Sequence, residues 1–138
     1  MSCILNIIGK EFDVDNFVLV SKLVPYNISY IGSPRFKSKP DGKKHEFTGC
    51  SIEVSSAGFG EFNMQVSDAV EFLDDNREKL KLINATKEIE YAYLNFGVDH
   101  DDNKFVEGRF LPNELLKIAG ELGISIEIST YNHFAKAE

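Results

Sequence analysis

An α+β fold is predicted: a two-layer sandwich with a mixed β-sheet and about three helices packed mainly on one face. Three observations predict it. First, the chain closes on a helical pattern that turns straight into a strand at a glycine, GRFLPNELLKIAGELGISIEISTY. Second, two more helix-like stretches are set apart from this unit by strand-like runs, and a stripe on a helix must be buried against another element. Third, two of the strand-like runs are apolar on both faces, which places them inside a sheet rather than at its edge.

Taken in order, Cys3 to Ile8 reads as an inner strand. Asp13 is placed to cap a helix from Val14 to Leu23 whose wheel gathers Val14, Phe17, Val18 and Ser21. Phe17-Val18-Leu19-Val20 is β-branched enough for a strand, but the cap and the Val24-Pro25 break favour a helix. From Tyr26 to His45 the chain is punctuated by Gly32, Pro34, Pro40 and Gly42 and reads as irregular, extended near Ile28 to Ile31. Phe47 to Ser55 returns to strand, with Cys50, Ile52 and Val54 on one face. After the Ser56–Phe62 loop, Ser67 reads as an N-cap and the helix runs to about Ile83, with an Asp75–Lys79 pair on its outer side. Glu88 to Val98 is the longest strand signal, with Ile89, Tyr91 and Tyr93 opposite Ala92, Leu94, Phe96 and Val98. Phe105 to Phe110 adds a short extended piece. Leu111, Leu115, Ile118, Ala119 and Leu122 then line the last helix, with Pro112 in its first turn and Gly123 at its left-handed end. Ile124, Ile126 and Ile128 alternate with Ser125, Glu127 and Ser129 in the closing strand. No linker divides the chain, so residues 1–138 form a single domain.

Composition bounds function by exclusion. With 15 Lys+Arg against 22 Asp+Glu the formal charge is −7, which repels nucleic acid and anionic membranes. Nothing near the N-terminus resembles a signal peptide, because Asn6 interrupts the apolar run and no basic residue precedes it. A cytoplasmic location is therefore expected, with Cys3 and Cys50 as buried, reduced thiols. No run reaches the length needed to cross a bilayer.

Several clusters invite chemistry, and each has a plainer reading. Asp99-His100-Asp101-Asp102-Asn103 offers oxygen at alternate positions, as a calcium loop does. Lys104 stands where the sharp turn needs glycine and Phe110 where the bidentate carboxylate belongs, so a solvated turn is expected. His45, His100 and His133 are far apart, without zinc-ligand spacing. No nucleophile elbow is present, and Asp74/Asp75 lie on an outer helix face where water screens them. No catalytic residue, metal or cofactor is implied. Arg35, Lys37, Lys39, Lys43 and Lys44 stand against Asp41 alone, a basic island in an acidic chain. Phe59, Phe62, Tyr91 and Tyr93 could bury area on a partner at low entropic cost, as could Tyr26 and Tyr30, or pack at the edge of the core.

Three stretches together carry a family resemblance: Phe12 to Asp15, the Asp68–Asn76 helix and the Leu111–Ile124 run, with Pro34 to Gly42 as a Pro/Gly-containing crossover. The chain resembles an uncharacterised group of small bacterial cytoplasmic proteins, similar to the domain-of-unknown-function class with a strand–helix–strand ending. The resemblance implies an α+β fold and a bacterial cytoplasmic setting; some relatives of this size and charge look like immunity proteins encoded beside toxins. The expected function is a non-catalytic protein-interaction module, immunity-type, whose partner is a basic toxin. Its partner-binding residues are expected among Phe59, Phe62, Tyr91, Tyr93, Arg35, Lys37 and Lys39. The alternative is a small-molecule binder or enzyme with a pocket between Tyr91/Tyr93 and the 26–40 crossover. A homodimer covering the second sheet face is a third arrangement.

Overall fold

Five strands form one mixed sheet in the order β2-β3-β1-β4-β5 in the computed structural model, which describes residues 1–132. The strands are β1 (Cys3–Gly9), β2 (Asn27–Ser29), β3 (Thr48–Ser55), β4 (Tyr91–Asp99) and β5 (Ser125–Tyr131). All neighbours pair antiparallel except β4 and β5, which are parallel and joined through a helix. The inner positions expected for β1 and β4 are the ones they take.

Register puts Leu5 opposite Ile52 and Leu94, and Ile7 opposite Cys50 and Ala92, so one face of the sheet is a continuous apolar floor. The helices cover this floor. They are α1 (Val14–Ser21), α2 (Phe62–Asp75), α3 (Arg77–Leu80), α4 (Leu82–Ala85) and α5 (Asn113–Glu121). Three are full helices and two are single turns, against about three expected. Val14, Phe17, Val66, Ala69, Leu73, Leu115 and Ile118 project from them into one core.

Local chemistry explains most boundaries. Asp13 accepts a hydrogen bond from the Asn16 N–H at 3.1 Å and caps α1, which is a helix despite its β-branched run. The end of α5 is a glycine-terminated turn in which the Ile124 N–H donates to Ala119 at 2.8 Å and the Gly123 N–H to Gly120 at 3.2 Å. Gly123 has φ +75° there, as its place after the helix requires. Pro112 caps α5 rather than opening its first turn.

The middle helix departs most from expectation. It begins at Phe62, not after Ser67, because Phe62, Gln65, Val66, Ala69 and Leu73 already form its buried stripe while Ser67 is exposed. It ends at Asn76, whose side chain donates to the Phe72 carbonyl at 2.9 Å and competes with the next helical turn. With that break Asp75 and Lys79 do not pair; Arg77 instead reaches Asp74 and Glu121, each at 3.2 Å. Residues 105–110 adopt no strand.

One backbone position is strained. Lys22 ends α1 at φ +62°, a left-handed conformation that crowds any Cβ. Lys22→Gly is therefore expected to raise stability by about 0.5–1 kcal/mol, since relief of the strain outweighs glycine's added unfolded-state entropy. An unchanged or lowered urea midpoint for that variant would count against this reading.

Candidate functional site

The second face of the sheet has no helix on it. The same register that gathers the core residues sets a polar row across this face: Asn27 opposite Ser51, Ser51 opposite Asn6, Asn6 opposite Tyr93, and Tyr93 opposite Ser125. The crossover folds over one end of the row. Beyond β2 it is irregular, as expected, but it folds back on itself as a hairpin-like flap in which Gly32 N–H donates to His45, His45 N–H to Ser33, and Arg35 N–H to Lys43, at 2.8–2.9 Å. Tyr30 anchors its base by donating to Asp15 at 2.7 Å. A cleft of about 620 Å³ lies between flap and sheet. Arg35, Lys43, Lys44 and His45 form one side, the Asn6–Ser51–Tyr93 row the floor, and Glu46 and Phe47 the rim.

Hydrogen bonding within the floor has a direction. Ser51 Oγ donates to Asn6 Oδ1 at 2.6 Å, which occupies the amide oxygen and leaves the amide N–H groups to the cleft. Tyr93 has its phenol pKa raised by burial and by the Glu127 carboxylate, which keeps it a protonated donor.

The expected partner-binding residues divide. Tyr93 and Arg35 share the cleft. Lys37 and Lys39 are exposed toward the tip of the flap and do not line it. Tyr91 is 59% exposed, edge-on to Phe47 at 6.3 Å. Phe59 stacks on Tyr131 at 5.4 Å above Gly97, where an added Cβ would meet the Phe59 ring at 3.0 Å and the Tyr131 ring at 3.2 Å, so the ring pair would have to shift to admit it. Phe62 does not belong to any partner-facing surface. It is 7% exposed and packs edge-on against Phe96 at 5.5 Å, because it opens the buried stripe of α2.

A second feature lies at the other end of β4. Phe105 is fully exposed, Phe110 is 78% exposed and Val106 74%. Their loop is tied to its surroundings through Arg109 and Glu107. Arg109 donates to the Asp99 carbonyl and to Glu107, both at 3.1 Å, and lies over the Phe62 ring; Glu107 also accepts from the Asp101 N–H. The acidic residues beside it fold onto their own loop: Asp101 takes the Asn103 N–H at 2.9 Å and Asp102 meets His100 at 2.7 Å. Among the described residues no three His, Cys, Asp or Glu side chains are placed to hold a metal ion. His133 lies outside the described residues.

Asn6, Ser51 and Asn27 went unrecognised as site residues in the sequence, although Asn6 breaks an otherwise apolar strand. Phe105, Val106 and Phe110 went unrecognised as a surface; three large apolar residues inside a polar loop were the signal. Cys3 and Cys50 are both buried and free, and register separates them: Cys50 faces Ile7, whereas Cys3 faces Ser55.

The fold and these surfaces define a class: a small α+β protein with one helix-covered sheet face and one open, polar face. The chain belongs to a family within that class, the domain of unknown function DUF4279, whose profile matches residues 1–133. Neither the curated proteins nor the solved structures compared with it contain a match. No helix among the described residues is long and apolar enough to cross a membrane.

Proposed function

We propose that this protein is a non-catalytic interaction module that presents the Phe105–Phe110 loop to a basic protein partner. The observation that carries the reading is the exposure of three large apolar side chains on a loop tied to β4 through Arg109 and Glu107. Large apolar side chains exposed to water are costly unless another surface covers them, and loops pinned before binding lose little entropy on docking. Phe105, Val106 and Phe110 supply the apolar centre, and Asp101, Asp102 and Glu107 a mostly acidic surround. Together with the −7 overall charge, that surround selects a partner whose apolar pocket is rimmed by Lys or Arg. An immunity-type inhibitor of a basic toxin in a bacterial cytoplasm is the specific form of this reading. Unpaired buried thiols and acidic composition support the compartment.

The test is capture from native lysate by the tagged protein and by Phe105→Ser/Phe110→Ser. The expected result is one basic protein near stoichiometry, released by salt and lost in the variant. Each aromatic anchor is expected to contribute about 2 kcal/mol, roughly thirty-fold in affinity. Equal capture by both proteins, or capture of nothing by either, overturns the proposal.

A further inference from the structure

The cleft between flap and sheet has a chemistry that the loop reading leaves unused. It brings together cationic groups that the rest of the protein does not neutralise. Among the described residues, Arg35 and Lys43 form no ion pair, although the chain carries 22 acidic residues. Lys44 is turned back on the flap, where it donates to the Pro40 carbonyl, so it stiffens the flap while its charge stays at the cleft.

The floor adds donors rather than acceptors. Because Ser51 Oγ already occupies Asn6 Oδ1, Asn6 offers N–H groups, and Tyr93 offers a phenolic O–H. Asn27 and Ser29 extend the floor toward the sheet edge. Adjacent strands lie about 4.8 Å apart, so the row from Asn27 through Ser51 and Asn6 to Tyr93 spans roughly 14 Å. Glu46 is the one carboxylate on the lining. Cations on one wall and hydrogen-bond donors along the floor suit a molecule that is acceptor-rich at several points. Phe47 and Ile8 leave room for a short carbon skeleton between its charged groups.

We infer that this cleft binds a small organic polyanion, whose anionic groups meet Arg35 and Lys43 while its remaining oxygens take the Asn6 and Tyr93 donors. Phosphoryl and carboxylate groups share that chemistry, and the cleft selects for several acceptor groups spaced along one skeleton. The inference is independent of the proposed partner loop, since the cleft and residues 100–110 share no residue. Tyr93 and Asp99 stand six residues apart on β4, about 20 Å at strand rise.

Titration calorimetry with pyrophosphate and, separately, with citrate tests it, against sodium chloride of matched ionic strength. One-to-one binding tighter than millimolar is expected for at least one of the two. Arg35→Glu and Lys43→Glu should each weaken it at least ten-fold, Tyr93→Phe about three-fold, and Lys79→Glu on the helix side not at all. Because Arg35 and Lys43 are exposed, these variants should keep the wild-type circular dichroism and thermal midpoint. Binding of pyrophosphate alone identifies a phosphoryl ligand, and of citrate alone a polycarboxylate. Failure of both anions to bind overturns the inference, as does binding that Arg35→Glu and Lys43→Glu leave intact. Binding of polyglutamate but of neither small anion overturns it equally, because the face would then read acidic protein.

Discussion

Phe96→Ala is expected to lower the free energy of unfolding by about 3–5 kcal/mol, a large part of the stability of a domain this size. Phe96 sits on β4, between β1 and β5, fully buried beneath the helix layer and edge-on to Phe62. Truncation removes the ring from a site whose walls are a hydrogen-bonded sheet and cannot collapse inward, so a cavity remains. Phe105→Ala is the matched control. It deletes the same ring from a position in full contact with water and is expected to change stability by no more than about 0.5 kcal/mol. Urea unfolding of the two variants side by side decides the matter. Similar losses for both would mean that Phe105 is packed in solution, which would also remove the exposed loop from the proposed function.

A second large effect is expected at alkaline pH. Burial pushes the Cys3 thiol from 9.0 up to about 12, with the Asp68 carboxylate adding to the rise, and the Cys50 thiol up to about 11. Both folded values lie above the unfolded one, so the unfolded chain releases these protons first. The stability each thiol contributes is then complete below pH 9 and is lost as pH rises through the folded values. Each thiol approaches the limit of about 1.4 kcal/mol per pH unit only where it is ionised in the unfolded chain and protonated in the folded one, so between pH 9 and 11 the two together lower stability by roughly 2 kcal/mol per unit. Unfolding midpoints at pH 8, 9, 10 and 11, compared with those of a Cys3→Ala/Cys50→Ala variant, measure the slope. If both proteins lose stability equally steeply, other groups govern the alkaline limb and the thiols are not the cause. In the native state at pH 8 both thiols should also resist alkylation, since neither is exposed nor ionised.

The fold was legible where local rules act alone. The apolar run of Cys3–Ile8, the alternation in Ile124–Ile128, the Asp13 cap and the Gly123 stop each operate within a few residues, and the elements they mark lie where those signals place them. The middle helix was less legible. A serine followed by an aspartate resembles an N-cap wherever it occurs, and only the burial of Phe62 and Gln65 shows that the helix had already begun. Gln65 itself is a polar residue at zero exposure. Its amide donates to the carbonyls of Gly58 and Gly97, so it ties the start of α2 to β4, and nothing in its neighbours along the chain predicts that role.

The candidate sites lay further out of reach, for a physical reason. Asn27, Ser51, Asn6 and Tyr93 become one row only through strand register, which joins segments that are far apart along the chain. A single-residue slip of any strand would turn its member of the row into the core. Exposure is non-local in the same way: Phe62 and Phe105 are the same side chain in comparably mixed surroundings, and tertiary packing buries one and leaves the other in water. By itself the sequence determined the α+β class, the inner strands and the first and last helices, because periodicity and backbone sterics are short-range. Only the tertiary structure decided which strands neighbour, that the basic crossover folds over the open sheet face, and which aromatics face solvent. Those outcomes depend on contacts between segments that have no sequence proximity.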